Sequence, residues 1–486
     1  MNPVGLDLVQ INPLPLPVRK ASPKSRPISP LTSELFVLPT DGKRFLIYAP
    51  LRRSAFLGNA RVVRVIRSLQ EGTYTPELDP GGAVAGLLER LQMLNGGPES
   101  APQNDYTGDP EPLSVTLLLT TACNLRCTYC YASAGDTPLE FMTMDQARNG
   151  IDFVLGNAKR KGASGFSVSY HGGGEPTANW KVLTESVEYA HRLASANSMG
   201  VDITLTTNGV FSEDKAEWLA RRLNGASVSF DGMPEMHDTH RPMADGSASA
   251  AVVERNMRIF DRAGFRYGMR MTATADQMSR LADSVEYVLK NFRPTSILIE
   301  PLYQMGRGTN QDNAESVEFI EAYREAKRRA VEMGRVVEFS GARVGIITKH
   351  FCGIAQDNFC ISPKGNVTAC YESFSENTTW AHKFFYGKPT GRPGEYFFDM
   401  DVLKGLREQT VDNRPFCDGC FAKWTCGGDC YHKSLAAHGD GEFQGAGRCN
   451  VIRELTKDMV LEKIAASGGL FWHEPIGSNH GCQHHH

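Results

Sequence analysis

The apolar positions fall into stretches of different period along the chain. Residues 11–30 carry six prolines and four basic residues with few apolar partners. No core is available to such a segment, and residues 1–30 are expected to be a disordered or polyproline-like arm. Two apolar runs follow, Glu34–Thr40 and Lys43–Pro50, joined by Asp41-Gly42, a dipeptide suited to the positive backbone angles of a tight hairpin turn. Over Ala60–Gly72, Val62, Val63, Val65, Ile66 and Leu69 recur at helical spacing, and over Gly82–Asn95 so do Leu87, Leu88, Leu91 and Leu94. A hairpin followed by two amphipathic helices predicts a winged-helix-like module, residues 31–110 with its linker. Such a hairpin can lend an edge strand to an extended peptide. It can equally be a stabilising extension without a partner.

From Leu113 short β-branched runs alternate with helical stretches, which predicts an α/β unit with a parallel sheet wrapped by helices over residues 111–335. The predicted strands are Val115–Thr120, Gly165–Tyr170, Asp202–Thr206, Ser227–Phe230, Tyr267–Thr272 and Ser296–Glu300.

Composition narrows the class. With 486 residues, 41% hydrophobic and a net charge of −3, the chain is expected to be globular with about three domains, and no charge excess argues for nucleic acid. No apolar run reaches membrane-spanning length and no signal segment opens the chain, so a cytoplasmic protein without a membrane partner is expected. Twelve cysteines are out of place there as disulfides and suit metal ligation. The final His484-His485-His486 reads as an appended tag.

Cys123, Cys127 and Cys130 follow the first predicted strand with Cys-x3-Cys-x2-Cys spacing, and Tyr129 precedes the last of them. Three thiolates can hold one 4Fe-4S cluster and leave one iron open. Zinc is the alternative, although it prefers paired cysteine loops and four protein ligands. Gly172-Gly173-Gly174-Glu175-Pro176 follows the second strand, Thr207-Asn208-Gly209 closes the third, and Ser229-Phe230-Asp231-Gly232 the fourth, with Arg241 soon after. Together these resemble the radical SAM superfamily.

The resemblance implies a partial (β/α)6 barrel with its chemistry at the C-terminal ends of the strands, and S-adenosylmethionine (SAM) bound at the open iron. Gly173 and Gly174 would let the backbone approach the methionine amino group, with Glu175 adding negative charge beside it. Tyr129, Asn208 and Ser229 carry over as cofactor-binding residues. Asp231 and Arg241 are either further SAM contacts or residues that order their loop, since Asp before Gly is what a turn demands. Arg270 and Glu300, at the last two strand ends, are either cofactor groups or a structural salt bridge.

Nine further cysteines follow. Cys352-x12-Gly365-x4-Cys370, then Cys417-x2-Cys420-x5-Cys426-x3-Cys430, then Cys449 resemble the SPASM domain of radical SAM enzymes that modify peptides and proteins, here residues 336–486. Cys360 supplies an eighth thiol. By that resemblance Cys352, Cys360, Cys370 and Cys430 hold one auxiliary cluster and Cys417, Cys420, Cys426 and Cys449 the other, giving three 4Fe-4S clusters in all. Zinc also suits the Cys417–Cys430 run. Cys482 is left as a free thiol.

These resemblances imply a radical SAM peptide maturase. It would take a hydrogen from a precursor peptide, leader plus core, through the 5′-deoxyadenosyl radical, and would form an oxidative carbon–carbon or thioether crosslink. The first electron would come from a flavodoxin or ferredoxin. The alternative is an anaerobic sulfatase maturase, which makes formylglycine. Those enzymes usually carry Asp directly after the cysteine matching Cys370, where this chain has Tyr371-Glu372. That departure and the long prefix favour the peptide maturase. Glu372 is then the candidate proton acceptor, or else a solvated loop carboxylate. A non-catalytic iron–sulfur electron carrier would need no SAM pocket, and the glycine loop argues against it.

Overall fold

The computed structural model describes residues 31–40, 42–99, 101–103, 106–310, 316–445 and 447–474. The proline-rich arm, Asp41 of the turn and Cys482 lie outside these residues.

The hairpin forms as β1 (Phe36–Pro39) and β2 (Arg44–Ala49), antiparallel, with Phe36 opposite Tyr48 and Pro39 opposite Phe45. A third strand not expected from the sequence, β3 (Ser54–Asn59), pairs with β2. Its residues, Ser-Ala-Phe-Leu-Gly-Asn, include no β-branched side chain to announce it. Asn59 caps α1 (Ala60–Glu71), its side chain accepting from the N–H groups of Arg61 and Val62. In α2 (Ala83–Arg90) the Asp79 carboxylate accepts from the Val84 and Ala85 N–H groups. Ile47, Phe56, Val63, Ile66 and Leu88 make the core between sheet and helices.

Six parallel strands then alternate with helices in chain order. They are β4 (Ser114–Leu118), α3 (Met144–Lys161), β5 (Gly165–His171), α4 (Trp180–Ala196), β6 (Gly200–Thr207), α5 (Glu213–Arg222), β7 (Gly225–Ser229), α6 (Pro234–His240), α7 (Ala250–Ala263), β8 (Tyr267–Ala273), α8 (Leu281–Asn291), β9 (Ile297–Pro301) and α9 (Ser316–Glu332). The period-2 alternation of strands selects what meets the core. In β8, Tyr267, Met269, Met271 and Ala273 are buried, and Arg270 and Thr272 face the other way.

The second cysteine region extends this sheet instead of standing apart from it. β10 (Val337–Glu338) lies parallel to β9, and β11 (Cys360–Ile361) parallel to β4 with Cys360 opposite Thr116. β12 (Val367–Thr368), β13 (Phe385–Pro389) and β14 (Tyr396–Phe398) continue antiparallel, completing eleven strands. The helix Gly447–Ala466 lies along α9, where Arg324 forms ion pairs with Asp458 and Glu454. β15 (Phe471–His473) then crosses back to pair antiparallel with β3. Strand pairing therefore crosses the boundaries drawn near 110 and 336. Among the described residues no helix is long and apolar enough to cross a membrane.

Candidate active site

The first cysteine loop leaves β4 and is fastened from three sides. Thr120 and Thr121 donate their hydroxyls to the carbonyls of Glu140 (2.7 Å) and Pro138 (2.8 Å). Beyond, the N–H groups of Arg126 and Thr128 donate to the carbonyls of Pro242 (2.8 Å) and His240 (2.9 Å) at the end of α6. The turn after β9 closes the third side. There the Arg307 N–H donates to the Cys130 carbonyl (3.0 Å), its Nε to the Cys127 carbonyl (2.9 Å) and a terminal nitrogen to Asp136 (2.8 Å). A Cβ on Gly306 would lie 2.3 Å from the Cys130 carbonyl oxygen, so the approach requires glycine.

Cys123, Cys127 and Cys130 are free thiols close enough to act on one another. Burial first of all pushes Cys123 up to about 12, with Glu175 and the other two thiols adding to it. Burial likewise pushes Cys127 up to about 11, against the opposing pull of Arg241 and Arg307. Thiols that act on one another repel once ionised, and a bound cationic metal would relieve that repulsion; three thiolates on one loop suit an iron–sulfur cluster.

The glycine loop packs on the lead-in to these cysteines. The Glu175 N–H donates to the Ala122 carbonyl (2.8 Å), and a Cβ on Gly174 would lie 2.2 Å from that same oxygen. A Cβ on Gly173 would meet the Phe374 ring at 2.3 Å. Close approach here is thus to the chain itself. Glu175 is buried and accepts from the Thr177 N–H (3.1 Å) and hydroxyl (2.8 Å), the Thr207 hydroxyl (2.8 Å) and the Asn208 N–H (2.8 Å). It ties the end of β5 to the end of β6. Burial raises its pKa, against those same bonds. Asn208 donates through Nδ2 to Asn124 (2.8 Å) and to the Cys123 sulfur (3.6 Å).

Asp231 and Arg241 pair with each other, Nε to Oδ2 at 2.8 Å and the second nitrogen to Oδ1 at 3.2 Å. Asp231 also accepts from the Thr272 N–H (3.0 Å) and the Tyr129 hydroxyl. Burial is the largest influence and works to raise its pKa, but Arg241, His237 and Tyr129 together outweigh it and the carboxyl is held low. The Arg241 guanidinium lies 5.2 Å from the Tyr129 ring centre. These three residues brace the cysteine loop against the ends of β7 and β8. Ser229 sits at the end of β7, half-buried, opposite Arg270 in register.

Two further thiol groupings lie in the second cysteine region. Cys352, Cys370 and Cys430 act on one another, and Cys352 acts on Cys360. Cys417, Cys420, Cys426 and Cys449 line one cavity with Lys423 and Arg453. Burial is the leading influence in both, pushing Cys360 and Cys417 up to about 12.

The first of these groupings borders the strand ends. The Glu372 carboxylate, Cys370 thiol and His432 Nδ1 lie within 4.8 Å of one another. Glu372 Oε2 is buried, 3.6 Å from His432 Nδ1, and accepts no hydrogen bond from the described residues. Beside it Tyr371 packs on the His171 ring of β5, centroids 4.1 Å apart, and interacts with Arg270 of β8. Lys433 Nζ lies 3.4 Å from the Tyr303 ring centre. His171, Arg307, His432, Lys433 and Arg448 were not singled out from the sequence. The Gly-Arg-Gly turn after the last strand and the arginine beside Cys449 were the available signals.

A parallel strand–helix series with three thiols on the loop after its first strand and polar groups at its strand ends defines an α/β fold built to carry an iron–sulfur centre. Residues 117–288 match the Radical SAM superfamily, and the chain carries a radical SAM domain. It is 27% identical over 261 residues to Fe-coproporphyrin III synthase of Methanosarcina barkeri, covering 53% of this chain and 58% of that protein. It is 24% identical over 269 residues to sporulation killing factor maturation protein SkfB of Bacillus subtilis, covering 53% and 60%. The chain thus spans about three fifths of the length of the curated relatives it matches. In fold it resembles native anSMEcpe with bound AdoMet and Cp18Cys peptide, TM-score 0.57 at 18% identity, over 73% of this chain and 99% of that one.

Proposed function

We propose that this protein is a peptide maturase that removes a hydrogen atom from a ribosomally made precursor and leaves an oxidative carbon–carbon or thioether crosslink. The observation that carries this reading is the second cysteine region. It continues the barrel's own sheet, and one of its thiol groupings reaches the strand-end mouth through Tyr371 and Glu372. Cys123, Cys127 and Cys130 would hold a 4Fe-4S cluster with one iron left for SAM, which when bound there supplies hydrogen-atom abstraction from an unactivated carbon. Thr120, Thr121, Arg307 and the Tyr129–Asp231–Arg241 group hold that loop still. Arg270, Tyr371 and His171 border the space in which the peptide carbon must be placed. Glu372, whose buried Oε2 accepts no hydrogen bond from the described residues, would take the proton that oxidation releases. Cys352, Cys360, Cys370 and Cys430, and Cys417, Cys420, Cys426 and Cys449, would hold two auxiliary 4Fe-4S clusters, which would supply an acceptor for the electron.

The likeness to SkfB, a maturation protein by name, supports the peptide reading, and so does a fold neighbour that holds a peptide. The leader would add to the outer side of β1, and a flavodoxin or ferredoxin would supply the first electron. The test is incubation with SAM, dithionite and a short precursor encoded beside this gene. The expected products are 5′-deoxyadenosine and a peptide two hydrogens lighter. Conversion of a Cys or Ser to an aldehyde would favour the sulfatase-maturase reading instead, and absence of 5′-deoxyadenosine would contradict both.

A further inference from the structure

The two auxiliary thiol groupings are joined by side chains that belong to neither. Arg448 immediately precedes Cys449 of one, and Asp429 immediately precedes Cys430 of the other. The two form a buried ion pair, Nε to Oδ1 at 2.6 Å. The other two guanidinium nitrogens turn to the barrel: one donates to Glu300 Oε2 at the end of β9 (2.9 Å), the second to the Ser340 hydroxyl (2.9 Å). Glu300 is held in turn by the Tyr303 hydroxyl (2.8 Å) and the Ser340 N–H (2.9 Å). Phe339, Tyr303 and Phe351 enclose the guanidinium, with ring centres 5.0, 5.1 and 5.5 Å away.

Residues far apart in sequence therefore meet on one planar cation. Asp429 does so with a backbone φ of 64°, a left-handed conformation that a residue other than glycine keeps where its surroundings impose it. A buried pair of this kind is a poor source of net stability, because apolar replacements of similar volume often do as well. What a forked arginine supplies is fixed geometry. A cation beside an iron–sulfur centre also favours the state carrying the added electron.

We propose that Arg448 is a positioning residue that fixes both auxiliary clusters relative to the strand-end mouth and raises their reduction potentials. The inference rests on the ligand sets of the proposed function. Its test uses the full chain with Cys123, Cys127 and Cys130 changed to Ala, so that only auxiliary iron remains. Arg448→Met and Arg448→Lys are added separately, iron is counted, and the clusters are titrated electrochemically under EPR.

The parent and both variants are expected to hold about eight irons. The Met variant should titrate at lower potential than the parent. The Lys variant keeps the charge without the fork, and should recover most of the potential while its EPR line shape stays altered. If Met sheds iron, a Lys variant that holds about eight irons at nearly the parent potential supports the role, and Lys shedding iron as Met does overturns it. Full iron with unchanged midpoints in the Met variant would also overturn it, as would a change confined to one cluster. A parent without auxiliary iron would instead overturn the ligand sets, and the inference with them.

Discussion

Glu175 accepts four hydrogen bonds from Thr177, Thr207 and Asn208, and its Oε2, with one of them, keeps room for another donor. The sequence alone casts it as a ligand for a cation, with little part in folding. The structure gives it a structural share, because removing a buried carboxylate leaves its donors unsatisfied. Glu175→Ala is expected to cost about 3 kcal/mol in the apo chain, besides weakening SAM binding about ten- to a hundredfold. Denaturant unfolding and equilibrium SAM binding check the two effects separately, and an unchanged apo midpoint would contradict the first. His237 offers a pH test. Burial is the leading reason its pKa falls from 6.5 to about 4, and its Nε2 has no hydrogen-bond partner among the described residues. A folded pKa below the unfolded one gives stability that is complete above about 6.5 and is lost as the pH falls toward 4. His237→Gln should therefore flatten the decline in melting temperature between pH 7 and pH 5, and an equal decline in both proteins would contradict it. At this scale the cysteines were legible, because ligand spacing is a local property of the chain. Arg307 and Arg448 were not, since Cys127 and Glu300, to which they donate, lie more than a hundred positions away.

The six parallel strands run five to eight residues each, most of them with alternating apolar positions, so their existence could be read from the sequence. β11, β12 and β15 are two or three residues long, too short to carry a period, and only tertiary pairing defines them. β15 changes the account of the N-terminal sheet. It covers β3, so that β1 and β15 are the outer strands of this sheet. The Thr40 N–H donates to the Arg44 carbonyl, so by antiparallel alternation the Val37 N–H points outward and Pro39 falls at an outward position with no N–H to offer. Val37→Pro should lower turnover of a leader-bearing precursor while sparing substrate-free SAM cleavage, as followed by peptide mass spectrometry and 5′-deoxyadenosine release. Equal turnover would make the sheet structural. Deleting residues 31–100 is the coarser test, because it also removes the partner of β15. Trp472 of β15 is buried, and Trp472→Ala should cost about 3 kcal/mol, with faster amide exchange along β3.

At the scale of the whole molecule, the parallel sheet binds the parts together. Its first strand carries the first cysteine loop on one end and takes Cys360 of the second region alongside. Near the end of its sixth strand stands Glu300, which Arg448, next to Cys449, links to Asp429, next to Cys430. Three thiol groupings thus hang on one framework, and the assignment to test is a 4Fe-4S cluster on each, with SAM cleaved at the first alone. Iron and SAM cleavage in the anaerobically reconstituted chain, intact and with Cys123, Cys127 and Cys130 changed to Ala, test it most directly. About twelve irons are expected, falling to about eight in the substituted chain, with 5′-deoxyadenosine formation abolished. Retention of all the iron, or cleavage that survives the three substitutions, would contradict it.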